Sequence, residues 1–112
     1  MDIRERVVNG ISVLDISGKI SLGEGDLKIK DRIKDLLADG QRRILLNLAE
    51  VSYIDSAGLG SLISSYATVK REGGSLKLVN LTKRVKDLLA ITKLITVFDT
   101  FEDENSAVSS FE

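Results

Sequence analysis

The stretch RRILLNLAEVSYIDSAGLGSLI, residues 42–63, decides how this chain folds. Its first ten residues form an almost unbroken apolar run with no charges at helical spacing. That is the pattern of a strand buried on both faces at the centre of a sheet. From Asp55 onward the period changes: Leu59, Leu62, Ile63, Tyr66 and Val69 fall on one stripe of a helix that Gly73-Gly74 stop. A buried strand running straight into an amphipathic helix predicts an α/β fold, with Asp55-Ser56 at the turn between the two elements.

The flanking segments extend that reading. In IRERVVNGISVLDIS two β-leaning runs are separated by Asn9-Gly10, a dipeptide that readily supplies the two positive φ angles of a tight hairpin turn. Gly18 reads as the end of the second run. Ile29, Ile33, Leu36 and Leu37 then mark an amphipathic helix closed by Gly40, and Gly23 and Gly25 read as a flexible loop leading into it. SLKLVNL alternates as a strand, with Leu76 and Leu78 on one face and Lys77 and Val79 on the other. Val85, Leu88 and Leu89 mark a third helix, ITVFDTF a short final strand or edge, and DENSAVSSF a last helix with Asp103 and Glu104 at its N-terminus. The predicted order is ββαβαβαβα, with right-handed crossovers between parallel strands.

Composition narrows the function. The 112 residues suit one domain, expected to span 1–112, and 43% apolar with 29% charged residues are ordinary globular values. Three Phe, two Tyr and no Trp argue against an aromatic ligand pocket or a base-stacking surface. Sixteen basic and seventeen acidic residues leave a net charge of −1, so no direct nucleic-acid partner is expected. No apolar run approaches the roughly 18 residues that span a bilayer, and MDIRERVVNG lacks the apolar core of a signal peptide. A cytoplasmic protein with no membrane partner is expected. Without cysteine there is no disulfide or thiolate chemistry, and without histidine the commonest general base and metal ligand is missing.

Ser56 is the residue that invites a chemical role. A nucleophile elbow requires glycine two positions before the serine, where this chain has Ile54, and no histidine is present to take the proton. A phosphate loop requires Lys and Ser or Thr after its last glycine, but Gly60 is followed by Ser61-Leu62. Glu24, Asp26 and Asp31 have no spacing of a calcium loop. Neither cofactor nor metal is expected, and the chain does not read as an enzyme. The bland reading of Asp55-Ser56 is a helix cap, with Ser56 capping when bare. That leaves Gly58 and Gly60 unexplained, since glycine weakens a helix, and suggests that something approaches the backbone there. A phosphate on Ser56 would be tolerated, because a first helical turn offers unpaired N–H groups and partial positive charge.

YIDSAGLGSLI, preceded by RRILLNLAEV and followed by SLKLVNLTKRVKDLLAIT, resembles the STAS domain of bacterial anti-sigma factor antagonists, and the likeness runs from GISVLDISGKI through the terminal helix. The resemblance implies a mixed, mostly parallel sheet of four or five strands with about four helices largely on one side. It implies that Ser56 is phosphorylated by the partner, an anti-sigma factor with a GHKL-type serine kinase fold, and that a PPM-type phosphatase resets it. The bare form would bind the anti-sigma factor and free a sigma factor. Carried over with Ser56 as the partner-binding loop are Asp55, Ala57, Gly58, Leu59 and Gly60. Many members have an aspartate in a G-x-x-D pattern after the second strand; here GKIS places Ser21 there, and Glu24 or Asp26 is the candidate substitute. The alternative reading is a regulatory or scaffold subunit of a transporter or sensory complex that uses the same fold without phosphorylation.

Overall fold

The computed structural model describes residues 1–111, Glu24 by its backbone alone. Strands β1 (Asp2–Val8) and β2 (Ile11–Ile20) form a hairpin and helix α1 (Glu24–Ala38) follows. The chain continues through β3 (Arg43–Ile54), α2 (Ser56–Arg71), β4 (Ser75–Val79), α3 (Lys83–Ile91), a 3-10 turn at Leu94–Thr96, β5 (Thr100–Phe101) and α4 (Glu104–Ser109). The sheet order is β1-β2-β3-β4-β5, antiparallel between β1 and β2 and parallel elsewhere. Asn9 and Gly10 both take positive φ, 51° and 78°, as the tight hairpin turn requires.

Alternation along the strands sorts the core into two layers. Leu14, Ile16, Ile44, Leu46, Leu48, Leu76 and Leu78 point to the face covered by α1, α2 and α3, where Ile29, Ile33, Leu62, Val69, Val85 and Leu89 meet them. Ile11, Val13, Leu45 and Val79 point to the other face, where Ala107 and Val108 of α4 complete a smaller cluster. Three helices therefore lie on one side and the short α4 on the other. Arg6 ties α4 down: it pairs with Asp15 at 2.6 Å and with Glu104 at 2.6 Å, and Asn47 donates to Asp15 at 2.8 Å.

Three sequence expectations need correction. Gly18 does not end the second strand: β2 continues to Ile20, with Gly18 at φ 92° beside a register shift. At two such shifts β3 carries one residue more than β2, which turns Val51 and Ile54 toward the same core as Leu48. Gly25 belongs not to a loop but to the first turn of α1, where a Cβ would lie 2.9 Å from the Lys19 carbonyl oxygen. ITVFDTF is mostly not strand: Leu94–Thr96 form a 3-10 turn and only Thr100–Phe101 pair with β4. Phe98, between them, is buried edge-on to Tyr66 with ring centroids 5.2 Å apart, so burial of an aromatic ring accounts for the apolar pattern.

Candidate functional site

Where β3 ends, Asp55 keeps extended backbone angles (φ −107°, ψ −176°) and serves as the N-cap of α2. One carboxylate oxygen accepts the Gly58 N–H at 2.8 Å and the other accepts the Leu22 N–H at 3.2 Å, so a single side chain clasps the start of α2 to the segment after β2. The Asp55 N–H donates to the Ile20 carbonyl at 3.3 Å, and its own carbonyl accepts the Leu59 N–H at 2.9 Å. These N–H donors, Gly58 foremost and then Leu22, hold the Asp55 carboxyl below the usual carboxylate range. Ser56 is consequently not the cap. It is the first helical residue, and because the neighbouring carboxylate fills the capping role, the exposed Ser56 hydroxyl engages no other group among the described residues.

The two glycines of the motif have different reasons. A Cβ on Gly58 would overlap the Ile20 carbonyl, so the close approach inferred from sequence is made by the chain's own β2 and not by a visitor. Gly60 is exposed, and a Cβ added there would meet nothing within 4 Å. Leu59 is buried among the core side chains. Of the expected partner-binding loop, Ser56 and Gly60 therefore form open surface, Asp55 and Ala57 are half-buried, and Gly58 and Leu59 act from beneath.

On the other side of Ser56 lies the segment between β2 and α1. Ser21 is half-buried, its carbonyl accepting the Asp26 N–H at 3.1 Å. Asp26 is not in a loop but in the first turn of α1; its carbonyl accepts the Ser61 hydroxyl at 2.8 Å, while one carboxylate oxygen is buried without a partner. The Glu24 side chain lies outside the described residues. Leu22, which sequence reasoning passed over, is 77% exposed and tethered through its N–H to Asp55. The signal available was an apolar residue in a short polar, glycine-bearing segment that fits no helical stripe.

Beyond these, the α2 first turn contains no acidic residue, and Arg84 stacks over Tyr53 with its guanidinium carbon 4.5 Å from the ring centroid. Among the described residues no group of three or more His, Cys, Asp and Glu is placed to hold a metal ion, and no helix is long and apolar enough to cross a membrane. The arrangement presents an exposed serine hydroxyl at the start of a helix whose cap is the neighbouring Asp55 carboxylate.

The STAS domain family model matches residues 2–107. The anti-sigma-B factor antagonist of Bacillus subtilis (strain 168) is 36% identical over 91 residues, covering 81% of each chain. Among solved structures, the Thermotoga maritima protein tm1081 superposes with a TM-score of 0.89 at 23% identity, covering 97% of this chain and 93% of that one. The anti-sigma factor antagonist SpoIIAA in its unphosphorylated form gives 0.72 at 17% identity, covering 97% and 96%. SpoIIAA in the phosphorylated form gives 0.76 at the same identity, covering 99% and 100%.

Proposed function

From the premise that this chain belongs to the anti-sigma factor antagonist family of STAS domains, we propose that it is a binding module switched by phosphorylation of Ser56. The bare form binds a cognate anti-sigma factor of GHKL-type kinase fold and thereby releases a sigma factor; phosphate on Ser56 ends that binding, and a PPM-type phosphatase restores it. The observation that carries this reading is the placement of Ser56: exposed, first in α2, and held there by a cap that does not use its hydroxyl. The fold-level likeness to SpoIIAA, solved in both unphosphorylated and phosphorylated forms, supports it.

The physics of the switch is local. Phosphorylation adds about −1.5 to −2 charge, so an interface that packed a neutral hydroxyl has to desolvate an anion. A loss of about 2.8 kcal/mol weakens binding a hundredfold. No refolding is required, because the α2 start already presents N–H groups and the positive end of its dipole.

The test is incubation with GHKL-type anti-sigma factors and ATP, followed by mass mapping. Phosphate is expected on Ser56 of the parent and absent from Ser56→Ala. Ser56→Asp is expected to lose anti-sigma factor binding. No label at Ser56, together with undiminished binding by Ser56→Asp, overturns the switch.

A further inference from the structure

Helices α1 and α2 border a groove of about 320 Å³ along the later part of α2, away from its start. The lining is polar: Lys30, Asp31 and Lys34 come from α1, and Ser65, Thr68 and Arg71 from α2, while its one apolar member, Ile33, is buried. Two features there run against the needs of the fold. Ser65 is 3% exposed, and its hydroxyl is buried with no hydrogen-bond partner among the described residues. A helical Ser or Thr ordinarily returns its hydroxyl to the carbonyl one turn back, as Thr68 does to Ser64 at 2.9 Å and Thr92 to Leu88 at 2.7 Å. Alanine would fill the Ser65 position with better helix propensity and no polar group to desolvate. The other feature is charge. Lys30 and Lys34 stand one turn apart on α1, a like-charge spacing that weakens a helix. Neither they nor Arg71 pair with a carboxylate among the described residues. Arg71 suits the C-terminal end of α2, but the lysine pair has no such reason within the fold. An unused buried hydroxyl in the wall of a groove rimmed by unpaired cations marks a place prepared for an anion.

We propose that this groove binds a small phosphate-bearing polyol, its phosphate held by Lys30, Lys34 and Arg71, with Ser65 turning its unused hydroxyl to the ligand by a change of rotamer. Charge and size choose the ligand. Three cations against the single carboxylate of Asp31 match the charge of about −1.5 to −2 on a phosphate monoester. An ionised Asp31 only accepts hydrogen bonds, and the Thr68 hydroxyl has already given its proton to Ser64, so both require hydroxyl groups on the ligand. A nucleotide is disfavoured, because no aromatic ring lines the groove to stack on a base. An acidic protein segment is disfavoured, because the lining offers it no exposed apolar anchor. The groove shares no residue with the loop 55–60, so the proposal stands or falls independently of the Ser56 switch.

The experiment follows backbone amide shifts of the full chain, bare at Ser56 and without any partner, at constant pH and ionic strength. The probes are glycerol 3-phosphate, inorganic phosphate, sulfate and glycerol, with ATP and poly-glutamate as contrasts. Glycerol 3-phosphate is expected to give saturable shifts confined to residues 30–34 and 64–71, inorganic phosphate to bind more weakly, and glycerol to give none. Lys34 and Arg71 are exposed, so Lys34→Ala and Arg71→Ala should fold as the parent does and bind about tenfold more weakly. Ser65→Ala should bind about fivefold more weakly while melting no lower than the parent, a combination that a purely structural serine would not give. Undiminished binding by Ser65→Ala or by Lys34→Ala overturns the proposal. So do shifts that grow without saturation and alike for every anion, which show a general charge effect. Inorganic phosphate that binds as tightly as glycerol 3-phosphate overturns the polyol assignment. Saturation by ATP alone assigns the groove to a nucleotide, and by poly-glutamate alone to an acidic protein; either result overturns the proposal.

Discussion

Gly58, in the first turn of α2, lies so close to the carbonyl of Ile20 at the end of β2 that a methyl group on it would overlap that oxygen. Gly58→Ala must therefore push α2 off the strand, and the overpacking is expected to cost roughly 1–3 kcal/mol. Gly60, two residues on, faces open space, so Gly60→Ala should be neutral or gain up to about 1 kcal/mol from better helix propensity. Urea unfolding of the two variants checks the contrast; equal effects would mean that the Ile20 contact does not set the position of the helix.

Asp55 couples the same helix to the segment after β2, through hydrogen bonds from Gly58 and Leu22. Its folded-state pKa lies below the ordinary 3.8, so the stability it contributes is present above that value and is lost as pH falls through the lower, folded-state value. Asp55→Ala should speed amide exchange at both Leu22 and Gly58, and should flatten the acid limb of the stability curve. Faster exchange at Gly58 alone would show that the tether to Leu22 is not holding.

Phosphorylated protein should keep its fold. The phosphate joins a helix start that favours anions, so amide shifts are expected to change near residues 20–23 and 54–60 and nowhere else, with the melting temperature no more than a few degrees below that of the bare form. Loss of dispersion across the sheet resonances would instead indicate that the switch works by unfolding.

Arg6 joins the hairpin to α4 through Asp15 and Glu104. The Arg6 guanidinium, ahead of the bond from Asn47, holds the Asp15 carboxyl below the ordinary 3.8; this contribution too is present above that value and disappears as pH falls through the lowered one. Arg6 itself is pushed further up by both acids and stays charged throughout. Arg6→Ala should lower stability by about 1 kcal/mol, between the worth of an exposed pair and that of a charged hydrogen bond, and should free the amides of α4 for exchange. Unchanged protection in α4 would assign its anchoring to Ala107 and Val108 alone.

What the sequence made legible was whatever a local pattern encodes. The apolar run before Val51 specified a central strand, Asn9-Gly10 the hairpin, and the α2 and α3 stripes their buried faces. The misreadings of Gly25 and Gly58 share a physical cause: each glycine's role is set by backbone from another element packed against it. Gly25 and Gly58 read as loop or docking features because nothing local announces that the Lys19 and Ile20 carbonyls will press on them. Ser56 read as a cap because serine caps well, but the extended residue before the helix is Asp55. The buried Ser61 and Ser65 fall between the apolar positions of the α2 stripe and become visible only once α1 lies across them.

The clasp at Asp55 grips the backbone of residue 22, not its side chain. Backbone N–H groups are common to every amino acid but proline, so the residue at 22 can be exchanged without loosening the scaffold beneath Ser56. The surface beside the start of α2 can thus change its side chain at this one exposed position while the hydrogen-bonded frame below it stays as it is.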